Sequence, residues 1–175
     1  MTPFEMATAL VVCLQTVYED DPDAPAQICH RPGREAPLNF GTAQDECCTG
    51  LAWVRVSSIE PVSDPLDSEN PDFNSCSSGD RRVVLEMGVA RCNPSGTQSA
   101  GPTCAEWTEL AQRMDLDASA MSRAVCCAVD AVLQPDAGDG SVYRVRRGTW
   151  EPLDSSGGCA GGTMTVTVWT DCAEC

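Results

Sequence analysis

The sequence predicts an α+β fold, with a mainly antiparallel four-stranded sheet that has its helices packed on one face. The first observation is a period of two in the apolar residues, typical of half-buried strands, in four segments: 50–57, 82–92, 141–150 and 162–170. The second is a pair of helical segments that begin with capping signals. The third is the order helix, two strands, broken helix, two strands, which is typical of α+β proteins.

A helix is predicted from residue 2 to about residue 20. Thr2 is placed to cap it, Pro3 suits the first helical position, and Glu5 completes a capping box. Apolar residues then recur at helical spacing: Phe4, Ala7, Val11, Leu14 and Tyr18. The run resembles the hydrophobic part of a signal peptide, but no positive side chain precedes it and no small-residue cleavage site follows. We therefore expect a retained amphipathic helix.

A broken helix is predicted between the second and third strands. Thr103 and Glu106 form a second capping box, which opens a helix through about Arg113. Either Asp115 or Asp117 then caps a further helix. The apolar stripe of that helix is Met121, Val125, Ala128, Val129 and Val132.

The connections are long, although the chain is predicted to be a single domain, 1–175. Residues 21–46 show no periodicity and are predicted to be irregular. A long loop at about 58–81 is rich in proline and acidic residues, and such loops are commonly functional or partly disordered. The sequence DSSGGCAGG is predicted to connect the last two strands, because glycine tolerates the backbone angles of hairpin turns.

The charge balance restricts the partners. The chain has 26 acidic residues and 11 basic ones, all arginine, for a formal net charge of −15. Such a protein is not expected to bind nucleic acid or an anionic membrane by electrostatic attraction. The charge is compatible with a protein that DNA must pass without sticking. In addition, no apolar run is long enough to span a bilayer.

Twelve cysteines include two adjacent pairs, at 47–48 and 126–127. Three interpretations are open: buried thiols acting as small hydrophobic side chains, a structural zinc site using the CAEC sequence at 172–175, and disulfides formed after assembly or release from the cell. Zinc is disfavoured because the chain has no second Cys-x-x-C pair and His30 is its only histidine.

For the disulfide interpretation, the important point is that adjacent cysteines face different ways. Cys47 and Cys48 would face opposite sides of the sheet, and antiparallel pairing of the first two strands would bring Cys92 towards Cys47. At helical spacing, Cys127 points away from the predicted stripe, which suggests a bridge to a covering loop, and Cys48 would look towards the 126–127 pair. The pairing itself stays open. The candidate disulfide cysteines are Cys47, Cys48, Cys92, Cys126 and Cys127.

Catalysis is poorly supported. His30 is the only imidazole that a cysteine nucleophile would have as its base. The sequence GGCAGG lacks the lysine and the strand-then-helix context of a phosphate-binding loop. We therefore expect no enzymatic activity, no cofactor and no metal.

Four sequence features, in this order, resemble a known family: the early helix, CCTGLAWVRV, VVLEMGVARCNP and the ending WEPLDSSGGCAGGTMTVTV. The chain resembles the tail-terminator, or tail-completion, proteins of long-tailed phages of actinobacteria. The resemblance implies an α+β subunit without catalytic residues, which forms a hexameric ring on the last ring of the tail tube. It also implies that the ring stops polymerisation of the tail tube protein and joins the tail to the head–tail stopper.

This resemblance implies a protein of the virion neck that is assembled in the host cytoplasm and has no membrane partner. DNA would pass the ring without specific binding, because an acidic lumen repels phosphates. Arg144 and Arg146 share a strand face and are candidates to pair with acids of a neighbouring subunit; a solvated face is the other interpretation. The richness in cysteine departs from the commoner members of the family.

Two other classes stay open. A head–tail stopper or another connector is also a small ring-forming protein at a similar place in the particle. A secreted, disulfide-bonded binding module is disfavoured by the missing signal peptide.

Overall fold

Two helices and five strands make up the described part of the chain. The computed structural model describes residues 1–33, 49–62, 81–94, 101–133, 142–156 and 158–170. The elements are α1 (Pro3–Tyr18), β1 (Gln27–His30), β2 (Leu51–Pro61), β3 (Arg81–Cys92), α2 (Cys104–Ala131), β4 (Val142–Ser156) and β5 (Cys159–Thr170). The long loop predicted at about 58–81 is replaced at its two ends by β2 and β3, and its middle lies outside the described residues.

The five strands form one sheet in the order β1-β2-β3-β5-β4. The pairs β2–β3, β3–β5 and β4–β5 are antiparallel, whereas β1 runs parallel to β2. The α+β class with a mainly antiparallel sheet is therefore confirmed, but the prediction of four strands was wrong. Strand β1 lies in a segment predicted to be irregular, because four residues are too few to show a period of two.

The hairpin of β4 and β5 is longer than predicted. Strand β4 extends to Ser156 and β5 begins at Cys159, and Gly158 between them has a φ of 83°, which favours glycine. Gly161 and Gly162 lie within β5 and not in the turn. A Cβ on Gly162 would overlap the indole ring of Trp150 on β4, so this glycine is needed for side-chain packing across the two strands.

Helix α2 is one continuous helix of 28 residues, which corrects the prediction of a break. Its N-terminus is the predicted capping box, in which Thr103 and Glu106 each accept a hydrogen bond from the other's backbone N–H. Asp117, one of the two predicted caps, lies inside the helix. Its side chain does not cap a helix because it is engaged in an ion-pair network with other elements.

Both helices cover the same face of the sheet, here called the inner face, as predicted. The core lies between that face and the helices, and on the sheet it consists of Ala52, Val54, Val83, Leu85, Met87, Val89, Met164, Val166 and Val168. The buried residues of α1 are Met6, Ala7, Leu10, Cys13, Leu14 and Tyr18. This stripe is rotated from the predicted one, since Phe4 is 62% exposed and Met6 and Leu10 are buried in its place.

The outer face of the sheet has a smaller apolar cluster at one end, formed by Leu51, Trp53, Ala90 and Cys159. The indole ring of Trp53 lies against Gly88 of β3, where a Cβ would overlap the ring. Beside it, Arg55 forms an ion pair of 2.7 Å with Glu86 and donates a hydrogen bond of 2.8 Å to the carbonyl of Gly33.

Candidate assembly surfaces

A buried ion-pair network joins α1, β3 and α2. Asp117 of α2 is fully buried. Arg91, at the end of β3, donates from Nε to its Oδ2 at 2.9 Å and from Nη2 to its Oδ1 at 2.7 Å. The hydroxyl of Tyr18, the last residue of α1, donates to Oδ1 at 2.9 Å. A carboxylate of α2 that accepts from both α1 and β3 fixes the relative positions of the three elements, since moving any of them leaves a buried charge unpaired.

A second arginine extends the network to the turn after α1. Arg113 of α2 donates to both carboxylate oxygens of Asp21, at 3.1 and 2.8 Å. The hydrogen bonds from Arg113 hold the pKa of Asp21 below its usual value. Burial, followed by the nearby negative charge of Asp117, raises the pKa of Tyr18 above its usual value. No local sequence pattern indicates this network, because its members are distant in the chain.

A disulfide joins the two helices directly. Cys13 of α1 and Cys127 of α2 are bonded, with their Cα atoms 5.8 Å apart and 114 residues between them in sequence. The expectation that Cys127 bridges to a covering loop was wrong, since its partner is on α1. The predicted stripe omitted Ala120 and Ala124, which are buried, and included Val132, which is exposed. The true stripe is rotated so that Cys127 lies beside the α1–α2 contact.

The other candidate cysteines are distributed as follows. Cys126 is a free, exposed thiol, so the prediction that it forms a disulfide was wrong. Because Cys127 is bonded to Cys13, a bridge from Cys48 to the 126–127 pair is wrong as well. Cys92 is disulfide-bonded, and so is Cys159, which the sequence did not single out. Cys47 and Cys48 lie outside the described residues, so the pairing of Cys47 with Cys92 stays a prediction.

The arginine candidates lie on β4, which is the last strand of the sheet. Arg144 and Arg146 are exposed on the outer face, opposite Trp169 and Thr167 in the register with β5. The guanidinium of Arg144 lies over the ring of Trp169, 4.8 Å from its centre. Arg147 is exposed as well. Their role in a subunit interface stays a prediction.

These three arginines differ from the other arginines of the sheet and of the buried network. Arg55, Arg82, Arg91 and Arg113 each form an ion pair within the chain. The arginines of β4 form no ion pair with any carboxylate of the described ranges. No described strand pairs with the free edge of β4. In a chain of net charge −15, the part of this edge at 144–147 is a positive surface with unused backbone hydrogen-bonding groups.

The first half of α2 is a second exposed surface. All residues from Cys104 to Glu109 are exposed, including Trp107 at 44%, and Leu116 farther along is 57% exposed. One side of this half-helix borders a cleft of about 590 Å³, whose opposite wall contains Asn93 and Pro94 after β3.

An apolar groove lies where the two helices meet near the disulfide. Its volume is about 370 Å³, and it is lined by Phe4, Glu5, Thr8, Ala9, Val12, Cys13, Ala131 and Val132. Phe4 and Val12 are among the exposed large apolar residues of the described part. The groove is a surface that a partner can cover.

Metal binding and membrane insertion are the remaining possibilities for the described ranges. No group of three or more His, Cys, Asp or Glu side chains is arranged there to hold a metal ion. The CAEC sequence lies outside those ranges. Neither helix is long and apolar enough to cross a membrane.

Comparison with known proteins adds little. No protein-family model matches the chain, and no curated protein matches it. Among solved structures, the chain is similar to a chain of the "Virion of native gene transfer agent (GTA) particle", with 9% identity and a TM-score of 0.36, over 95% of this chain and 97% of that chain. At this TM-score the likeness is too weak to support a conclusion about function.

Proposed function

We propose that this protein is a structural subunit of a phage neck, which assembles with copies of itself into a ring that caps the tail tube and joins the tail to the head. The neck assignment follows from the sequence resemblance to tail-terminator proteins. The observation that carries self-assembly is the free edge of β4, where three exposed arginines lack an ion-pair partner within the described part of an acidic chain. Acidic surfaces of a neighbouring copy are the complement that this edge requires.

The geometry suits a ring because the three arginines lie on one edge strand of the sheet, so the contact they make joins two different surfaces of neighbouring copies. A contact between two different surfaces of identical subunits is heterologous and closes into a ring when the rotation permits. The expected partners are other copies of this chain, the tail tube protein and the head–tail stopper. An acidic ring would let DNA pass, since it repels phosphates.

Removal of the gene from the phage tests the proposal. We expect tails of uncontrolled length and unjoined heads in electron micrographs, because nothing ends the polymerisation of the tube. Complementation with the intact gene should restore both properties. Tails of normal length that fail only to join heads would overturn the terminator function and support the stopper alternative.

Catalysis and metal binding are not part of this proposal. Metal analysis of protein purified without added metal is expected to find less than stoichiometric zinc. Stoichiometric zinc would contradict it and would revive the zinc interpretation of the cysteines.

A further inference from the structure

The exposed half of α2 and the free edge of β4 are complementary surfaces of one molecule. The α2 surface, defined here as residues 104–116, has exposed apolar side chains from Trp107 and Leu116. Its exposed charged side chains are all acidic: Glu106, Glu109 and Asp115. A helix that exposes apolar groups over several turns is typically stabilised by packing against another surface.

The only arginine in this half of α2 does not make the α2 surface positive, because its charge is neutralised within the chain. Arg113 is occupied by Asp21 and lies near Asp117, at 2.8 and 3.4 Å from Nη2 to the respective carboxylates. By contrast, Glu109 has no ion-pair or hydrogen-bond partner in the described part of the chain. Its carboxylate is therefore available to a cation from outside.

The two surfaces lie at opposite ends of the sheet. The α2 surface lies near the end where β3 finishes, since Arg91 binds Asp117 and the cleft beside α2 includes Asn93. Arg144 is paired in register with Trp169, near the last residue of β5 and the first of β3, which is the other end. The surfaces therefore do not contact each other within one subunit.

We propose that the free edge of β4, with Arg144, Arg146 and Arg147, docks on the α2 surface of a second copy of this chain. The occupant is a second copy because the same chain supplies both the unpaired arginines and the unpaired acids Glu109 and Asp115, with the exposed side chain of Leu116 beside Asp115. The contact is heterologous, and repetition of it generates the closed ring. This inference rests on the proposed self-assembly and identifies the two surfaces that carry it out.

The test uses one charge reversal on each surface and the full-length protein. Arg146→Glu and Glu109→Arg are the two variants, since neither residue has an intramolecular partner that the structure describes. Arg123→Glu and Asp20→Arg are the matched controls, because both positions are exposed and the changes in net charge are the same. Sedimentation equilibrium over a concentration series at low salt measures assembly, and circular dichroism verifies the fold of each variant.

We expect each surface reversal to raise the concentration for half-assembly by about tenfold or more, because like charges then face each other across the contact. The controls should stay within about twofold of the wild type. The variant that combines Arg146→Glu with Glu109→Arg should assemble again, since the attraction is restored with the signs exchanged. A mixture of the two single variants should also assemble.

The outcomes separate this inference from the proposed function. If the wild type assembles but the surface reversals behave like the controls, the two surfaces are not the interface, while self-assembly stands. If both single variants fail to assemble and the combined variant does not recover, direct pairing of the surfaces is wrong. A wild type that stays monomeric at all concentrations overturns self-assembly and this inference with it.

Discussion

Arg91 at the end of β3 donates two hydrogen bonds, of 2.9 and 2.7 Å, to the buried carboxylate of Asp117. This pair connects the sheet to the middle of α2, and Tyr18 brings the end of α1 to the same carboxylate. The arrangement places the exposed half of α2 relative to the end of β3. The first half of α2 has little other support, because most of its residues are exposed.

Replacing Asp117 tests the network. Asp117→Asn removes the charge that Arg91 and Arg113 share, and we expect a loss of about 3–5 kcal/mol in the free energy of unfolding, because a buried cation is left uncompensated. Asp115→Asn is the control, since Asp115 is exposed, and it should change the free energy by less than about 0.5 kcal/mol. Urea unfolding followed by circular dichroism measures both. Equal effects of the two variants would show that the network does not stabilise the fold.

Much of the fold was predictable because its signals are local. The two capping boxes, at Thr2 and at Thr103, occur as predicted, since they depend on residues three apart in sequence. The four long strands were recognised by their alternation. Strand β1 was missed because its pairing with β2 depends on residues more than twenty positions away.

The errors in the cysteines and in α2 have one physical origin. Helical stripes were assigned from large apolar residues, whereas the α2 stripe includes the small residues Ala120 and Ala124. An alanine fits where two elements approach closely, and its spacing alone does not distinguish it from a surface alanine. Asp117 appeared to be a helix cap for a related reason, since its tertiary partners are not visible in the sequence. Contacts between distant segments are what the sequence alone could not supply.

The disulfide between Cys13 and Cys127 should contribute strongly to stability, because it closes a long loop. Replacing both cysteines with serine is expected to lower the free energy of unfolding by about 2–4 kcal/mol, mainly by freeing the unfolded chain. Cys126→Ser is the matched control and should change it by less than about 0.5 kcal/mol, since this thiol is exposed and free.

Thiol counting on the same oxidised, denatured proteins verifies the bond. The double variant should have as many free thiols as the wild type, whereas Cys126→Ser should have one fewer. In purified virions, a count of twelve free thiols for this chain would contradict the disulfide in the particle. Loss of two thiols in the double variant would contradict it in the isolated protein.

Gly88 is expected to tolerate no side chain, because the indole ring of Trp53 occupies the place of its Cβ. Gly88→Ala should lower the free energy of unfolding by about 1–3 kcal/mol through overpacking. Gly101→Ala is the control, since no atom lies within 4 Å of the Cβ position there. Chemical unfolding measures the difference, and near-ultraviolet circular dichroism reports the packing of Trp53. An unchanged stability in Gly88→Ala would mean that the ring is free to move away.

Ionisation of the buried phenol of Tyr18 should lower the stability of the fold at alkaline pH. Burial and the negative charge of Asp117 raise the pKa of Tyr18 in the folded protein above the ordinary value of 10.0, so the native state holds this proton more tightly than the unfolded chain does. The resulting stability is fully present below pH 10 and is lost as the pH rises above it, by about 1.4 kcal/mol for each pH unit. Tyr18→Phe removes this proton and should show a shallower decline of the free energy of unfolding between pH 9 and pH 11.

At pH 7 the variant Tyr18→Phe is expected to lose about 1 kcal/mol in the free energy of unfolding, because the hydrogen bond to Asp117 is missing. Urea unfolding at each pH measures both effects, and the other alkaline groups are common to the two proteins. Identical slopes for Tyr18→Phe and the wild type would show that the phenol ionises without opening the network.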